Sequence, residues 1–253
     1  MRILITNDDG VVSKATRQLA VELHRLGHIV SVWCPAHNMS GYGSAISLSK
    51  NIVVKKDNSE PIPIYAVNST TSDAVIIGLK YEHEIGNNID MVISGINLGS
   101  NLGSDTIASS TVAGAITSIV KGVPSMAVSI ASSRPRYLTN TVSFFVSSLF
   151  PVLSSVVSTH YFLNINIPDK KEIKGVKVVP LSKFGWEKQY KFQEDSDNIY
   201  VHIVATSPNK IRLVKENTDI YWLRHGYVTI TPVTEHFVDM NIVQLIKEKL
   251  SFL

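Results

Sequence analysis

The sequence is poor in cysteine, since Cys34 is the single one among 253 residues. One thiol excludes an internal disulfide and a zinc site built from several thiolates. Cys34 lies in the apolar run VSVWC, so we expect it to pack in the core rather than to react.

The chain also lacks a strong charge of one sign and a long apolar run. The formal net charge is +3, and the lysines are dispersed, with Lys55-Lys56 and Lys170-Lys171 as the adjacent pairs. This distribution argues against a nucleic-acid polymer as a partner. No apolar stretch reaches the roughly 18 residues of a membrane span, and no signal core precedes the first strand. We therefore expect a cytoplasmic protein that makes no membrane contact.

Several common catalytic motifs are missing. The chain has no G-x-x-x-x-G-K-[ST], no G-x-G-x-x-G after its first strand and no G-x-S-x-G. These absences argue against a P-loop nucleotidase, a dinucleotide-binding protein and a serine hydrolase of the α/β type. The pair Asp8-Asp9 also lacks the D-x-D spacing that we expect of an aspartyl-phosphate phosphatase.

Strand-like and helix-like segments alternate over the first 168 residues. The apolar run 2–6 predicts a strand, and the pattern from Ser13 predicts a helix that stops at Gly27. Strands are further predicted at 28–34, 51–56, 62–67, 90–94, 124–130 and 161–168, with helices starting near 72 and spanning 106–121 and 138–157. After Pro168 the segments VKVVPL, NIYVHIVA and YVTITPV suggest antiparallel strands, and NIVQLIKEKL a last helix.

Alternation of this kind builds a parallel sheet with helices on both faces. The predicted fold is a doubly wound, Rossmann-like α/β core with a mostly parallel sheet over residues 1–168. A smaller, strand-rich C-terminal extension follows over residues 169–253. Such extensions often carry subunit contacts, so we expect this one to be an oligomerisation region.

Polar loops follow three of the predicted strands. They are NDDG after the first strand, PAHNMSGYGS after the second and SGINLGSN after DMVIS. Ligands of open parallel sheets bind beyond the carboxyl ends of the strands, where such loops meet. We therefore expect Asp8, Asp9, Ser40 and Asn97 to lie close together.

Asp8 and Asp9 are adjacent carboxylates that repel each other in a partly desolvated turn unless a cation neutralises them. With a hydroxyl, an amide oxygen and water they make an all-oxygen ligand set, which suits Mg²⁺ or Mn²⁺ better than zinc. Alternatively, Asp8 caps a turn and Asp9 points to solvent, as in many Asp-Gly turns. The position at the end of the first strand favours one divalent ion as cofactor.

A second polar cluster follows DMVIS. Gly95, Gly99 and Gly103 are spaced by four residues, and glycine lets a ligand approach backbone amides that can donate to an anion. Ser109, Ser110 and Thr111 place three hydroxyls at the start of the next helix, a position that suits phosphate. N-capping would account for only one of these three residues. The predicted phosphate-binding residues are Gly99, Ser100, Asn101, Ser109, Ser110 and Thr111.

In six segments, in the same order and over nearly the whole chain, the sequence resembles the SurE survival-protein family of metal-dependent nucleotidases. The segments are RILITNDDGVVSK, CPAHNMSGYGSAIS, VISGINLGSNLGSD, SSTVAGA, LNINIP and GYVTITP. The resemblance implies hydrolysis of nucleoside 5′-monophosphates, with 3′-nucleotides and short polyphosphate as further substrates in some members. It implies metal ligation by Asp8, Asp9, Ser40 and Asn97. It also implies a homodimer or homotetramer that exchanges C-terminal segments.

Three positions depart from the family pattern. Met39 stands where the family usually has a basic residue, so a charge that would help hold phosphate is missing. Ser110 replaces a glycine, which would reshape the turn before the helix. The segment STTSD at 69–73 replaces the usual GTP-x-D step, and we interpret this as structural variation.

In a hydrolase of this kind we expect Asn7, Asp8 and Asp9 to be the catalytic residues. Asp8 would act as a metal ligand. Asp9 would be a ligand and also the group that positions or deprotonates the attacking water. Asn7, beside the pair, would orient a ligand or contact phosphate.

Two other functions stay open. One is a non-catalytic nucleotide- or phosphate-sensing module with the same metal site, which Met39 and Ser110 would favour. The other is a glycosyltransferase-like enzyme, although the chain has no room for a second nucleotide-binding domain.

Overall fold

The computed structural model describes residues 1–57, 61–183, 185, 188–205, 214–234 and 240–249. The strands among these residues are β1 (Arg2–Thr6), β2 (Ile29–Pro35), β3 (Val54–Asp57), β4 (Ile64–Val67), β5 (Met91–Leu98), β6 (Ser125–Ile130), β7 (Tyr161–Ile167), β8 (Val176–Val178), β9 (Lys188–Glu194), β10 (Ile199–Ala205) and β11 (Val228–Thr234). The α-helices are α1 (Lys14–Arg25), α2 (Thr71–Glu84), α3 (Ser110–Val120), α4 (Leu138–Phe144), α5 (Phe150–Leu153), α6 (Asp219–Arg224) and α7 (Met240–Lys249). A 3₁₀-helix at Gly103–Ala108 precedes α3, and a π-helical turn at Phe145–Leu149 joins α4 to α5.

One sheet contains nine of these strands in the order β3-β4-β2-β1-β5-β6-β7-β11-β8. The six strands from β4 to β7 run parallel, whereas β3 and β11 are antiparallel to their neighbours β4 and β7. The chain runs outward from β1 to β4 and then returns to the other side of β1 with β5. The predicted doubly wound α/β fold is confirmed. Its topological switch point, where such folds bind ligands, lies between β1 and β5.

Helices cover both faces of the sheet, which explains why its central strands are apolar throughout. Ile3 and Ile5 of β1 pack in one core cluster with Leu19 of α1, whereas Leu4 packs on the opposite face with Val75 of α2. Successive side chains of a strand point to opposite faces, so a strand that is buried on both sides has no polar alternation.

Cys34 is fully buried in β2, as expected, and burial raises the pKa of its thiol to about 12. A thiol with this pKa is protonated at neutral pH and is a poor nucleophile. No helix in the described part of the chain is long and apolar enough to cross a membrane.

Two predicted boundaries near the switch point were wrong. The strand expected to end at Ser94 continues to Leu98, because a register shift between Ser94 and Asn97 keeps β5 paired with β6. Gly95 has a φ of +139°, and a Cβ there would lie 2.2 Å from a carbonyl oxygen of β6, so a larger residue cannot take this path. The helix expected from residue 106 begins at Ser110, because the 3₁₀-helix occupies the residues before it.

Residues beyond 168 add strands to the main sheet. β11 lies antiparallel to β7, and β8 lies parallel to β11. The strands β9 and β10 form a separate antiparallel hairpin. The division into residues 1–168 and 169–253 stays a prediction, since residues 184, 186–187, 206–213, 235–239 and 250–253 lie outside the described residues.

Candidate active site at the switch point

The chain that leaves β1 carries Asn7, Asp8 and Asp9 at the switch point. Asn7 is fully buried, Asp8 is 4% exposed and Asp9 is half-buried. Gly10 then turns the chain with a φ of +86°, and a Cβ at this position would lie 3.2 Å from the His37 backbone. The tight turn therefore holds two carboxylates at the carboxyl edge of the sheet.

The Asp8 carboxylate is held by hydroxyl groups. The Thr111 hydroxyl donates to Asp8 Oδ1 over 2.6 Å. Burial raises the pKa of Asp8 and the charge of Asp9 adds to this, whereas hydrogen bonds from the Thr111 and Ser40 hydroxyls act in the opposite direction. Asp8 is thus an acid that loses its proton reluctantly unless a positive charge lies beside it.

Asp9 lies against the end of β5. The Leu98 amide and Asn7 Nδ2 donate to Asp9 Oδ2 over 3.3 and 3.2 Å. Burial raises the pKa of Asp9, and these two hydrogen bonds lower it in part. Since Leu98 follows Asn97, the contact brings Asp9 to the strand end that carries the predicted amide ligand.

The Asn7 side chain makes hydrogen bonds to neighbouring groups of the protein. Its Nδ2 donates to Thr16 Oγ1 over 3.0 Å and to Ser13 Oγ over 3.3 Å, and its Oδ1 accepts from the Asp8 amide over 2.9 Å. Together with the bond to Asp9, these contacts occupy the amide nitrogen of Asn7. Of the two roles expected of Asn7, they favour orienting a ligand over contacting phosphate.

The loop after β2 reaches the carboxylates through its backbone. The Met39 amide donates to the Asp8 carbonyl over 2.8 Å, which brings the next residue, Ser40, beside the acidic turn. Ser40 itself is exposed, and its amide donates to Asn38 Oδ1 over 2.9 Å. The predicted hydroxyl ligand therefore lies at the open side of the site.

Asn97 lies within β5 and is 9% exposed. Its Nδ2 donates to the Gly99 carbonyl over 2.8 Å. This bond fixes the orientation of the amide, and no described residue donates to its Oδ1. The amide oxygen is therefore available as a ligand atom.

These four side chains fit a divalent cation by their donor atoms. No ion pair joins Asp8 or Asp9 to a lysine or arginine in the described ranges. Nor do those ranges contain a group of three or more His, Cys, Asp or Glu that could hold a metal. A site here would therefore combine two carboxylates with the hydroxyl of Ser40 and the amide oxygen of Asn97, a set typical of hard cations.

The loop after β5 offers fewer free amides than expected. The Gly99 amide donates to a β6 carbonyl over 3.0 Å, and the Asn101 amide donates to Asn166 Oδ1 over 2.8 Å. The Asn101 carbonyl accepts from Asn164 and Asn166 over 2.9 and 3.0 Å. Only Ser100, of the three predicted residues, has an amide without an acceptor among the described residues.

Asn164 and Asn166 were missed by the sequence analysis. They lie two residues apart in β7 and therefore on the same face of the strand. Two buried asparagines in the otherwise apolar strand YFLNINI were the available signal, since buried amides require partners. Their partner is the backbone of Asn101, which they hold in place.

The three hydroxyls at the start of α3 all bond to the protein. Ser109 caps the helix, the Ser110 hydroxyl donates to the Met39 carbonyl over 2.6 Å, and the Thr111 hydroxyl donates to Asp8. The expectation that these hydroxyls are there for phosphate is therefore not supported. The backbone amides of Ser110 and Thr111 have no acceptor among the described residues, at the positive end of an 11-residue helix.

The variant step STTSD has a structural role. Ser69 donates its hydroxyl to Asp73, and the Ser47 amide donates to both Asp73 oxygens over 3.2 and 3.1 Å. Burial alone would raise the pKa of Asp73, but hydrogen bonds from Ser69, Ser47 and Thr70 lower it overall. Asp73 thus ties the loop that follows Ser40 to the start of α2.

Asp219 is a further buried carboxylate, which the sequence did not indicate. It is fully buried and accepts from the amides of Gly103 and Ser182, both over 2.7 Å. Burial raises the pKa of Asp219, and these hydrogen bonds lower it in part. Asp219 joins the C-terminal part of the chain to the loop that leaves β5.

Comparison with known sequences shows to which family this chain belongs. The family described as "Survival protein SurE" matches residues 3–188. The chain belongs to the SurE family. The match begins in β1 and includes the turn with Asp8 and Asp9, the loop of Ser40, and the strand end of Asn97.

Relatives named "5′-nucleotidase SurE" match nearly the whole chain. The protein of Pseudothermotoga lettingae is 36% identical over 255 residues, which covers 98% of this chain and 94% of the relative. That of Thermoanaerobacter sp. strain X514 is 35% identical over 248 residues, 97% of each chain. The crystal structure of the SurE protein from Aquifex aeolicus is 28% identical and superposes with a TM-score of 0.84, covering 98% of this chain and 99% of that one.

Proposed function

We propose that this SurE-family chain is a divalent-metal-dependent phosphomonoesterase that hydrolyses nucleoside 5′-monophosphates to nucleoside and phosphate. The observation that carries the proposal is the adjacent pair Asp8 and Asp9, which the fold holds at its switch point without an ion pair to a lysine or arginine among the described residues. The substrate class is supported by the name of the full-length relatives, "5′-nucleotidase SurE".

Asp8, Asp9, Ser40 and Asn97 would hold one Mg²⁺ or Mn²⁺, since their oxygen atoms fit a hard cation. Such an ion supplies positive charge that neutralises the phosphoryl group and lowers the pKa of coordinated water. The carboxylates must be ionised to bind it, and burial, which raises the pKa of both, disfavours that ionised form until a cation lies beside them.

Phosphate oxygens would bind to backbone amides rather than to hydroxyls. The amides of Ser110 and Thr111 lie at the start of α3, where the helix dipole favours an anion, and the Ser100 amide lies on the loop after β5. Asp9 would orient the attacking water and accept its proton, because Asn7 and the Leu98 amide both hold its carboxylate in position.

The same site would accept 3′-nucleotides and short polyphosphate, which also present a terminal phosphoryl group. We propose no role for a nucleic-acid polymer or a membrane. The cytoplasmic location stays a prediction.

A homodimer or homotetramer is proposed from the hairpin of β9 and β10. In its register Tyr190 is paired with Ile203 and Phe192 with Val201, so that these four side chains share one face. They are 51%, 63%, 67% and 47% exposed, respectively. A two-stranded hairpin with an apolar face is not stable in water by itself, so we expect a second copy of the chain to cover it.

The proposal is tested by phosphate release from a panel of 5′- and 3′-nucleoside monophosphates with Mn²⁺, with Mg²⁺ and with a chelator. Metal-dependent release from the 5′-nucleotides is the expected result, and the panel ranks bases and phosphate positions. Binding of nucleotide and metal without release from any substrate would instead favour the sensing module.

A further inference from the structure

We propose that Ser110 is a positioning residue that fixes the metal-binding loop around Ser40, an inference that rests on the proposed function. The Ser110 hydroxyl donates to the Met39 carbonyl over 2.6 Å and accepts from the Tyr42 amide over 3.1 Å. These two bonds hold the backbone on both sides of Ser40. Ser110 is 1% exposed, so water does not compete for them.

The bonds that the loop makes within itself around Ser40, from the Ser40 amide to Asn38 Oδ1 over 2.9 Å and from the Tyr42 amide to the Met39 carbonyl over 3.4 Å, do not connect it to α3. Ser40 and Tyr42 are exposed, and Gly41 between them has a φ of +81°. Within the described stretch from Met39 to Tyr42, Met39 alone makes a backbone bond to the acidic turn, from its amide to the Asp8 carbonyl over 2.8 Å. Ser110 therefore connects the same peptide segment to α3.

Ser110 and Thr111 contact different parts of the predicted metal site. Thr111 holds the carboxylate of Asp8, and Ser110 holds the loop that carries Ser40. Since both residues belong to the first turn of α3, the helix sets the distance between two of the predicted ligands.

A direct role for the Ser110 hydroxyl on phosphate conflicts with its contacts. A serine hydroxyl has one proton, and here Met39 accepts it. Donation to phosphate would break the bond that orders the loop. The side chain therefore acts through Ser40, whereas the Ser110 backbone amide remains available to substrate.

The test compares Ser110→Ala and Ser110→Gly with a matched control, Ser118→Ala. Ser118 lies on the same helix, is fully buried and donates to the Val123 carbonyl over 2.8 Å. Mn²⁺ binding to the substrate-free proteins is measured by the electron paramagnetic resonance signal of free Mn²⁺. Both Ser110 variants are expected to bind Mn²⁺ about tenfold more weakly or worse, as is typical when a residue that orients a metal ligand is removed.

Turnover of a 5′-nucleotide and thermal unfolding are measured on the same samples. The Ser110 variants are expected to need more Mn²⁺ for half-maximal turnover, whereas Ser118→Ala should lower only the melting temperature. Equal Mn²⁺ affinity of Ser110→Ala and wild type, in a wild type that binds Mn²⁺ and releases phosphate, would overturn the positioning role alone. A wild type that neither binds Mn²⁺ nor releases phosphate would overturn this role together with the proposed function.

Discussion

The hydroxyl of Thr111 donates to the carboxylate of Asp8 over 2.6 Å, although the two residues lie 103 positions apart in the sequence. The bond joins the start of α3 to the end of β1 on the two sides of the switch point. The backbone amide of Thr111 has no acceptor among the described residues and can therefore bind an anion. Thr111 thus connects the predicted metal site to the predicted phosphate site.

Replacement of Thr111 by valine keeps the shape of the side chain and removes its hydroxyl. We expect Mn²⁺ to bind about 10- to 100-fold more weakly, because an oriented ligand loses its partner. Thr117→Val, on a half-buried position of the same helix, is the matched control. Equal Mn²⁺ affinity of the two variants in a calorimetric titration would show that Asp8 does not need Thr111.

The asparagines of β7 are expected to stabilise the fold through Asn101. Asn166→Ala removes one donor and one acceptor from the buried backbone of Asn101, which should cost about 2–4 kcal/mol of unfolding free energy. Asn140→Ala, on the exposed side of α4, should be neutral. Urea denaturation measures both, and a loss below about 0.5 kcal/mol for Asn166→Ala would contradict the role assigned to it.

Asp73 should make stability depend on pH in the acid range. Its pKa in the folded protein lies below the ordinary value of 3.8, so the ionised form is favoured by folding. The resulting stability is present above pH 3.8 and is lost as the pH falls through the lowered folded pKa. Asp73→Asn should therefore be less stable than wild type at pH 7, with a smaller difference below pH 3.8. A difference that stays constant from pH 7 to pH 3 in denaturation experiments would disprove this.

The apolar face of the hairpin should control assembly. The double variant Phe192→Ser and Ile203→Ser removes two of the exposed apolar side chains, and we expect the molar mass from light scattering to fall to a smaller species. Lys191→Ser changes the other face of the same strand and should leave the mass unchanged. An unaltered mass in the double variant would place the subunit contact elsewhere.

Residues at the ends of parallel strands could be predicted from the sequence. Asp8 and Asn97 follow from the rule that the carboxyl ends of parallel strands share one edge, and both lie there. The partners of Asn101 and Ser110 could not be predicted in this way. Asn101 bonds to β7 across 65 positions and Ser110 to a loop across 71, and neither pairing has a local pattern.

Element boundaries that depend on pairing with a distant strand could not be predicted from the sequence either. The glycines and asparagines of GINLGSN indicate a loop, whereas the pairing of Asn97 with Ser129 and of Leu98 with Ile130 keeps the first part of this stretch in β5. The same holds for Asp219, whose acceptor role depends on the amides of Gly103 and Ser182. The local sequence shows which side chains are polar, whereas long-range contacts decide which of them already have hydrogen-bond partners in the fold.

The most direct test of the account compares the wild type with Asp9→Asn in two measurements on the same samples, Mn²⁺ binding and phosphate release from a nucleoside 5′-monophosphate. Asparagine preserves the size of the side chain and removes the charge that would accept a proton. We expect phosphate release to fall about 100-fold or more. Near-normal release by Asp9→Asn with Mn²⁺ bound would contradict the assignment of the acidic pair as the centre of the site.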